Sequence, residues 1–275
     1  MKRILTVQDI SCVGKCSLTV ALPIISAMGI EAAVLPTAVL STHTAFKSFT
    51  FHDLTDEIPA ISDCWATQNI EFDGLYSGYL GSVRQIDLVI DLYKRFGEGK
   101  LKLVDPAMAD NGKLYAGFDE EFPLEMARLC AIADVAIPNL TEACFMLGKE
   151  YKGSGYDEDY VKELLLGIAN LGAKKVVITG VAFGEGSLGC YGYDSENGEF
   201  FSYLNSEIKQ RFHGTGDTFA SVCFGALIGG SSLKDATKKA ADFVCEAIKA
   251  TLSDERPIDY GVHFEKVLHT LHTIN

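Results

Sequence analysis

Short apolar runs of strand length alternate with helical stretches along most of the chain. This alternation predicts a mostly parallel sheet, because neighbouring parallel strands need a crossover connection and a helix supplies it. We therefore predict a doubly wound α/β fold with helices on both faces of the sheet. The predicted strands are Ile4–Gln8, Ala32–Pro36, Gly74–Ser77, Leu101–Asp105, Val135–Pro138 and Lys175–Thr179, and the predicted helices between them are Ser17–Met28, Ile86–Phe96, Leu124–Ala133 and Asp159–Leu171.

The rhythm changes near the end of the chain. Two alternating runs, Gly189–Tyr193 and Glu199–Leu204, flank a segment that ends in Asn197-Gly198, and they predict a late β-hairpin. Two helical stretches follow, Thr218–Leu227 and Leu233–Leu252. No internal repeat, low-complexity tract or linker-like composition divides the sequence, so we predict a single domain over residues 1–275.

The formal net charge of −13 limits the partners of this chain. Strong negative charge repels phosphate backbones and anionic lipids, so we expect neither nucleic acid nor membrane as a partner. The apolar start is interrupted by Thr6 and Gln8, which favours a first strand over a signal peptide. Eight scattered cysteines without a CxxC pair indicate free thiols and a cytoplasmic location.

The sharpest motif is His213-Gly214-Thr215-Gly216-Asp217, directly before a predicted helix. Two glycines with one residue between them let backbone amides converge, and the helix N-terminus adds positive potential. The segment can therefore hold an anion. A carboxylate beside a bound phosphoryl group is a candidate base for an attacking hydroxyl, which would give Asp217 a catalytic role. As a local pattern, Asp217 fits an ordinary helix N-cap equally well.

Three further polar motifs each follow a predicted strand directly: Asp105, then Asn139 with Glu142, then Thr179 with Gly180. They would meet at the carboxyl edge of the sheet, where open α/β folds bind ligands. The amide oxygen and carboxylate of the second motif suit Mg²⁺, directly or through its waters. Taken singly, the second motif fits a capping box and the other two fit plain turns. Together, the three motifs predict a site suited to phosphates.

The motif order Asp-Pro, Asn-x-x-Glu, Thr-Gly and Gly-x-Gly-Asp resembles the ribokinase-like superfamily over nearly the whole chain. Two segments, Ser41–Thr44 and Tyr76–Ser82, resemble the vitamin-pocket segments of its pyridoxal kinase branch. This resemblance implies ATP-dependent phosphorylation of the 5′-hydroxymethyl group of pyridoxal, pyridoxine or pyridoxamine. The alternatives are a hydroxymethylpyrimidine or sugar kinase of the same superfamily, and a vitamin-binding protein without catalysis.

The resemblance also implies a role for each site residue. Asp217 would be the catalytic base, and the amides of Gly214, Thr215 and Gly216 would form an anion hole. The implied contacts are Thr179, Gly180 and Asp105 for ATP, Asn139 and Glu142 for Mg²⁺, and Ser11, His43, Thr44 and Tyr79 for the vitamin. Asp9 and Ser11 remain alternative residues facing the substrate. A need for a monovalent cation such as K⁺ stays open, and we expect a homodimer.

Overall fold

The computed structural model describes residues 1–184, 186–255, 258 and 260–272. The strands in this part of the chain are β1 (Arg3–Ser11), β2 (Glu31–Leu40), β3 (Phe51–Asp53), β4 (Gly74–Ser77), β5 (Leu101–Val104), β6 (Ala109–Asp110), β7 (Lys113–Leu114), β8 (Val135–Ala136), β9 (Lys175–Val181), β10 (Ser187–Asp194) and β11 (Glu199–Ser206).

The helices of the described residues are α1 (Leu18–Ala27), α2 (Glu57–Thr67), α3 (Val83–Phe96), α4 (Phe122–Cys130), α5 (Leu140–Met146), α6 (Glu158–Leu171), α7 (Thr215–Ile228) and α8 (Leu233–Leu252). Two short 3₁₀ helices follow, Phe264–Lys266 and Leu268–Leu271. Over the same described ranges, no helix has both the length and the apolar composition needed to cross a membrane. The eight cysteines are free thiols, as predicted.

Nine strands form one sheet in the order β11-β10-β9-β8-β5-β4-β1-β2-β3. From β9 to β2, each strand is parallel to its neighbour. The two sides of the sheet end in antiparallel pairs, because β3 turns back on β2 and the hairpin of β10 and β11 continues from β9. The predicted α/β fold with a doubly wound, mostly parallel sheet and a late hairpin is confirmed.

Neighbouring residues of the central strands are buried on opposite faces of the sheet. In β1, for example, Ile4 and Leu5 are both fully buried but belong to different apolar clusters. The cluster of Ile4 includes side chains of α1, α7 and α8, and the cluster of Leu5 includes side chains of α2 to α6. Because both faces are covered, these strands appear in the sequence as continuous apolar runs.

Two elements near the β3 edge were not predicted from the sequence. The three residues of β3 are all exposed, so they show no alternation of apolar and polar side chains. The helix α2 buries only Ile58 and Ser62, which is too little to give the apolar stripe of an amphipathic helix. These elements form by pairing and packing against the rest of the fold.

The parallel strands direct their following loops to one edge of the sheet. The loops after β5, β8 and β9 therefore start side by side, as the bridge between Asn139 and Thr179 shows. The loops after β1, β2 and β4 start at the adjoining part of the same edge. This edge is where an open α/β sheet binds its ligands.

Candidate active site

A cleft with a volume of about 350 Å³ opens at the carboxyl edge of the sheet. It lies between the ends of β5, β8 and β9 and the start of α7. Its lining contains every residue that the sequence predicted for catalysis, nucleotide and metal: Asp105, Asn139, Glu142, Thr179, Gly180, Gly214, Thr215, Gly216 and Asp217. Residues that are distant in the sequence are therefore brought together by the parallel topology.

Gly214 is the N-cap of α7 and has a left-handed backbone conformation, with φ 73°. A Cβ atom at this position would lie 1.7 Å from the carbonyl oxygen of Lys15, so only glycine fits. The Gly214 carbonyl accepts hydrogen bonds from the N–H of Thr218 at 3.0 Å and from its hydroxyl at 2.7 Å. These bonds close the first turn of α7. The N-terminus of α7 lines the cleft, and its positive potential favours a bound anion there.

Asp217 is the third residue of α7, and Gly214, not Asp217, is the N-cap. The simpler interpretation of Asp217 as an ordinary N-cap is therefore wrong. Burial raises the pKa of the Asp217 carboxyl to about 6, the backbone N–H of Ser17 opposes this effect, and the charge of Asp9 adds to it. A carboxylate with a pKa close to neutral is a better proton acceptor than an exposed one and is still ionised at pH 7.

Asn139 and Glu142 form the capping box of α5. The amide oxygen of Asn139 accepts from the N–H of Glu142 at 3.0 Å, and the Glu142 carboxylate accepts from the N–H of Asn139 at 2.8 Å. The same carboxylate also accepts from the N–H groups of Met108 and Ala109, at 3.1 and 3.4 Å. The two side chains thus order the loop after β5 and at the same time line the cleft.

Asp105 is 7% exposed, and no hydrogen-bond donor reaches its carboxylate among the described residues. Burial raises its pKa well above the ordinary value, and the charges of Glu142 and Asp217 raise it further. Burial likewise raises the pKa of Glu142. The cleft is also lined by Asp110 and Glu207, so it holds five carboxyl groups, and a cation bound among them would be stabilised.

The donor set fits Mg²⁺ held together with phosphate, and not a metal held by the protein alone. In the described part of the chain, no three His, Cys, Asp or Glu side chains form a group that could hold a metal ion. Magnesium in nucleotide sites typically uses one or two carboxylates and completes its shell with water and phosphate oxygens. Asp105 offers unoccupied carboxylate oxygens, whereas Asn139 and Glu142 are already engaged and would act through water.

The predicted vitamin-side residues lie outside this cleft, at the adjoining ends of β1, β2 and β4. Ser11 is buried, and its hydroxyl donates to the Asp9 carboxylate at 3.2 Å. His43 is buried, and its Nε2 lies 3.2 Å from the carbonyl oxygen of Tyr260. Thr44 lies in an exposed turn.

Tyr79 is half-buried, and its ring centroid is 5.7 Å from that of Phe118. The ring centroids of His43 and His213 are 5.1 Å apart, so the vitamin-side segment reaches the loop that precedes Gly214. The structure therefore places two groups of residues next to each other, one in the cleft and one beside it, with the start of α7 between them.

Several residues of the cleft were missed by sequence reasoning. Part of the lining is an apolar wall that contains Leu188, Ile208, Phe212, Val244 and Ile248. In the sequence these side chains look like ordinary core residues, so no local signal identifies them. Arg211 was also missed, although it is the only lysine or arginine among the described residues that line the cleft.

Comparison with known proteins agrees with this geometry. The sequence profile of the phosphomethylpyrimidine kinase family matches residues 22–259. A protein of Bacteroides thetaiotaomicron, described as a phosphomethylpyrimidine kinase and crystallised with pyridoxal, has a TM-score of 0.94 and 41% identity, covering 98% of this chain and 95% of that chain. Pyridoxal kinase of Lactobacillus plantarum has a TM-score of 0.89 and 31% identity, covering 98% and 96%.

A curated relative extends the comparison to plants. Pyridoxal kinase of Arabidopsis thaliana is 25% identical over 259 residues, which is 91% of this chain and 81% of that protein. Together, the fold and these similarities define a phosphotransferase with an alcohol group as acceptor. The chain belongs to the phosphomethylpyrimidine kinase family, within the ribokinase-like superfamily that also contains the pyridoxal kinases.

Proposed function

We propose that this protein transfers the γ-phosphoryl group of ATP to the 5′-hydroxymethyl group of a B6 vitamer: pyridoxal, pyridoxine or pyridoxamine. The observation that carries the proposal is the pairing of two half-sites at the start of α7. One is an acidic cleft that ends at a helix N-terminus, and the other is the adjoining part of the sheet edge, where His43 follows β2 and Tyr79 follows β4. Flat aromatic side chains suit a pyridine ring better than a sugar.

In this proposal, Asp217 accepts the proton of the acceptor hydroxyl. An alcohol is a poor acid, but proton transfer can be late, because the transferring phosphoryl group passes through a loose transition state. Most of the rate enhancement then comes from positioning and from stabilising charge. The N–H groups of Gly214, Thr215 and Gly216 would hold the phosphoryl oxygens at the positive end of α7.

The same proposal assigns the remaining cleft residues to MgATP. Thr179, Gly180 and Asp105 would contact the nucleotide, and Asn139 and Glu142 would hold Mg²⁺ through its waters. When bound, the metal would neutralise charge on the phosphates. The apolar wall would receive the base, and Arg211 would face the phosphates, since it supplies the positive charge that the acidic cleft otherwise lacks.

A parallel substrate assay tests the proposed function. ADP release is measured with ATP and each of the three vitamers, and with hydroxymethylpyrimidine, which the match to the phosphomethylpyrimidine kinase family makes the second candidate. We expect a B6 vitamer to give the highest kcat/KM. A higher kcat/KM for hydroxymethylpyrimidine would replace the first candidate by the second.

We expect Glu142→Gln to raise the Mg²⁺ concentration needed for half-maximal rate, because the substitution removes a negative charge beside the proposed metal position. The glutamine amide group cannot accept from backbone N–H groups on both sides, as the carboxylate does. The melting temperature should therefore fall by a few degrees. Initial rates are measured over a Mg²⁺ series at saturating ATP. A lower melting temperature with unchanged Mg²⁺ dependence would leave Glu142 with the capping role alone.

Tyr79→Ala is expected to raise the KM for the vitamin by up to about tenfold, because the contact of one aromatic ring with another contributes about 0.5–1.5 kcal/mol. The KM for ATP should stay within about twofold, since Tyr79 does not line the nucleotide cleft. Tyr79→Phe keeps the ring and serves as the matched control. A large change in the KM for ATP would show that the proposed division into half-sites is wrong.

A further inference from the structure

The pairing between β1 and β2 is irregular near the carboxyl end of β1, opposite Asp9. Gln8 pairs with Pro36 on β2, but Ile10 pairs with Val39, so the register shifts by one residue across Asp9. β-Bulges of this kind are frequent beside active sites, where they change the direction in which a side chain points. Two residues of β2, Thr37 and Ala38, therefore stand opposite the single residue Asp9 of β1, so the extra residue lies in β2 and the irregular pairing lies beside Asp9.

Asp9 is a buried carboxylate without a cationic partner. It is 4% exposed, and within the described residues it forms no ion pair with a lysine, arginine or histidine. Its polar neighbours are the hydroxyl groups of Ser11 and Ser17. Burial raises its pKa, and the two hydroxyls oppose this effect. A buried charge with only neutral partners is costly to the folded state, and a positive group on a ligand would offset that cost.

Ser17 connects Asp9 with Asp217. Its hydroxyl lowers the pKa of the Asp9 carboxyl, and its backbone N–H lowers the pKa of the Asp217 carboxyl. Ser17 has φ 51°, a conformation rare outside glycine, and its side chain does not cap α1 although it is the N-cap residue. Ser17 is therefore a neighbour of both carboxylates.

Tyr79 lies on the vitamin side of Asp9. Burial raises the pKa of the Tyr79 hydroxyl to about 12, and the charge of Asp9 is the smaller contribution. Because Val7 of β1 pairs with Ser77 of β4, Asp9 and Tyr79 follow one matched pair at the ends of neighbouring parallel strands. A substituent on the ring carbon next to the 5′-hydroxymethyl group would come close to Asp9.

The three vitamers differ only in the substituent at that neighbouring carbon. It is an aldehyde in pyridoxal, a hydroxymethyl group in pyridoxine and an aminomethyl group, protonated at neutral pH, in pyridoxamine. Building on the function proposed above, we infer that Asp9 binds the protonated amine of the acceptor and makes pyridoxamine the preferred vitamer. Asp9, and not Ser11, is then the residue at the end of β1 that selects the substrate. Ser11 orients the carboxylate of Asp9.

Asp9→Asn tests this inference, because the amide keeps the shape of the side chain and removes its charge. Pyridoxine is the matched neutral substrate, since its hydroxymethyl group replaces the aminomethyl group atom for atom. For the unmodified protein we expect a kcat/KM at least about tenfold higher for pyridoxamine than for pyridoxine, as a charge-assisted hydrogen bond allows. In Asp9→Asn, kcat/KM should fall at least about tenfold for pyridoxamine and less than about threefold for pyridoxine.

Ser11→Ala is the companion variant, because it leaves the Asp9 charge in place and removes only one hydrogen bond to it, and we expect it to lower kcat/KM for pyridoxamine less than Asp9→Asn does. Equilibrium binding of pyridoxamine without ATP, together with the melting temperature, separates lost recognition from lost folding. Equal losses for both vitamers in Asp9→Asn would overturn the inference and leave the proposed function intact. Turnover of none of the vitamers by the unmodified protein would overturn the proposed function itself.

Discussion

Asp217→Asn is expected to give a folded protein whose kcat is at least about a hundredfold lower, because an amide cannot accept the proton of the acceptor hydroxyl. Affinity for ATP should be kept or improved, since one negative charge near the phosphates is removed. The measurements are kcat with each vitamer and equilibrium binding of ATP. A kcat close to that of the unmodified protein with any vitamer would contradict the catalytic role.

The raised pKa of Asp217 adds two pH-dependent expectations. In the unmodified protein, kcat should fall as the pH drops through about 6, where the base becomes protonated. In Asp217→Asn, the pH profile of kcat should not show this fall. The pKa is above its ordinary value of 3.8, so the folded state favours the protonated form. Ionisation of Asp217 therefore lowers stability as the pH rises from 3.8 to about 6, and above that range Asp217→Asn should melt at the same temperature or higher.

Gly214→Ala is expected to lower both kcat/KM and the melting temperature. The added methyl group would lie 1.7 Å from the carbonyl oxygen of Lys15, so the loop before α7 must move. That movement misdirects the N–H groups proposed to hold the phosphoryl oxygens, and losing such a donor typically costs about 10²–10³ in rate. Steady-state kinetics and thermal melting measure the two effects.

Gly29→Ala is the matched control for the backbone strain alone. Gly29 has φ 76°, nearly the same as Gly214, but a Cβ atom there would meet nothing within 4 Å. It follows α1 at the opposite edge of the sheet from the cleft. We expect a stability loss of about 1–2 kcal/mol and normal kinetics. If Gly214→Ala behaves like Gly29→Ala, the close approach to Lys15 has no functional role.

The polar ends of β5, β8 and β9 could be predicted from the sequence because each is a local signal, an apolar run that stops at Asp105, Asn139 or Thr179. Parallel topology then guarantees that such ends meet at one edge. The same reasoning found Asp217, because a Gly-x-Gly segment before a helix is also local. What remained open was whether Asn139 and Glu142 serve as caps or as metal groups, and the structure shows the capping bonds directly.

The remaining features depend on contacts that no local pattern records. The register shift at Asp9 arises from pairing between β1 and β2, so the sequence alone left Asp9 and Ser11 as alternatives. The apolar wall of the cleft combines residues of β10, α8 and the segment before α7. The strand β3 and the helix α2 carry too little buried apolar surface to be recognised.

The two half-sites come from separate stretches of the polypeptide. Ser11, His43, Thr44 and Tyr79 all precede α3, whereas the lining of the nucleotide cleft begins at Asp105. A chimera joined in the exposed turn around Gly99, between α3 and β5, would exchange the acceptor half of one relative for that of another. Tyr260 contacts His43 from the far end of the chain and would have to be exchanged with it. Under the proposed function, recombination within the first third of the gene would change the acceptor residues and leave the proposed nucleotide residues unchanged.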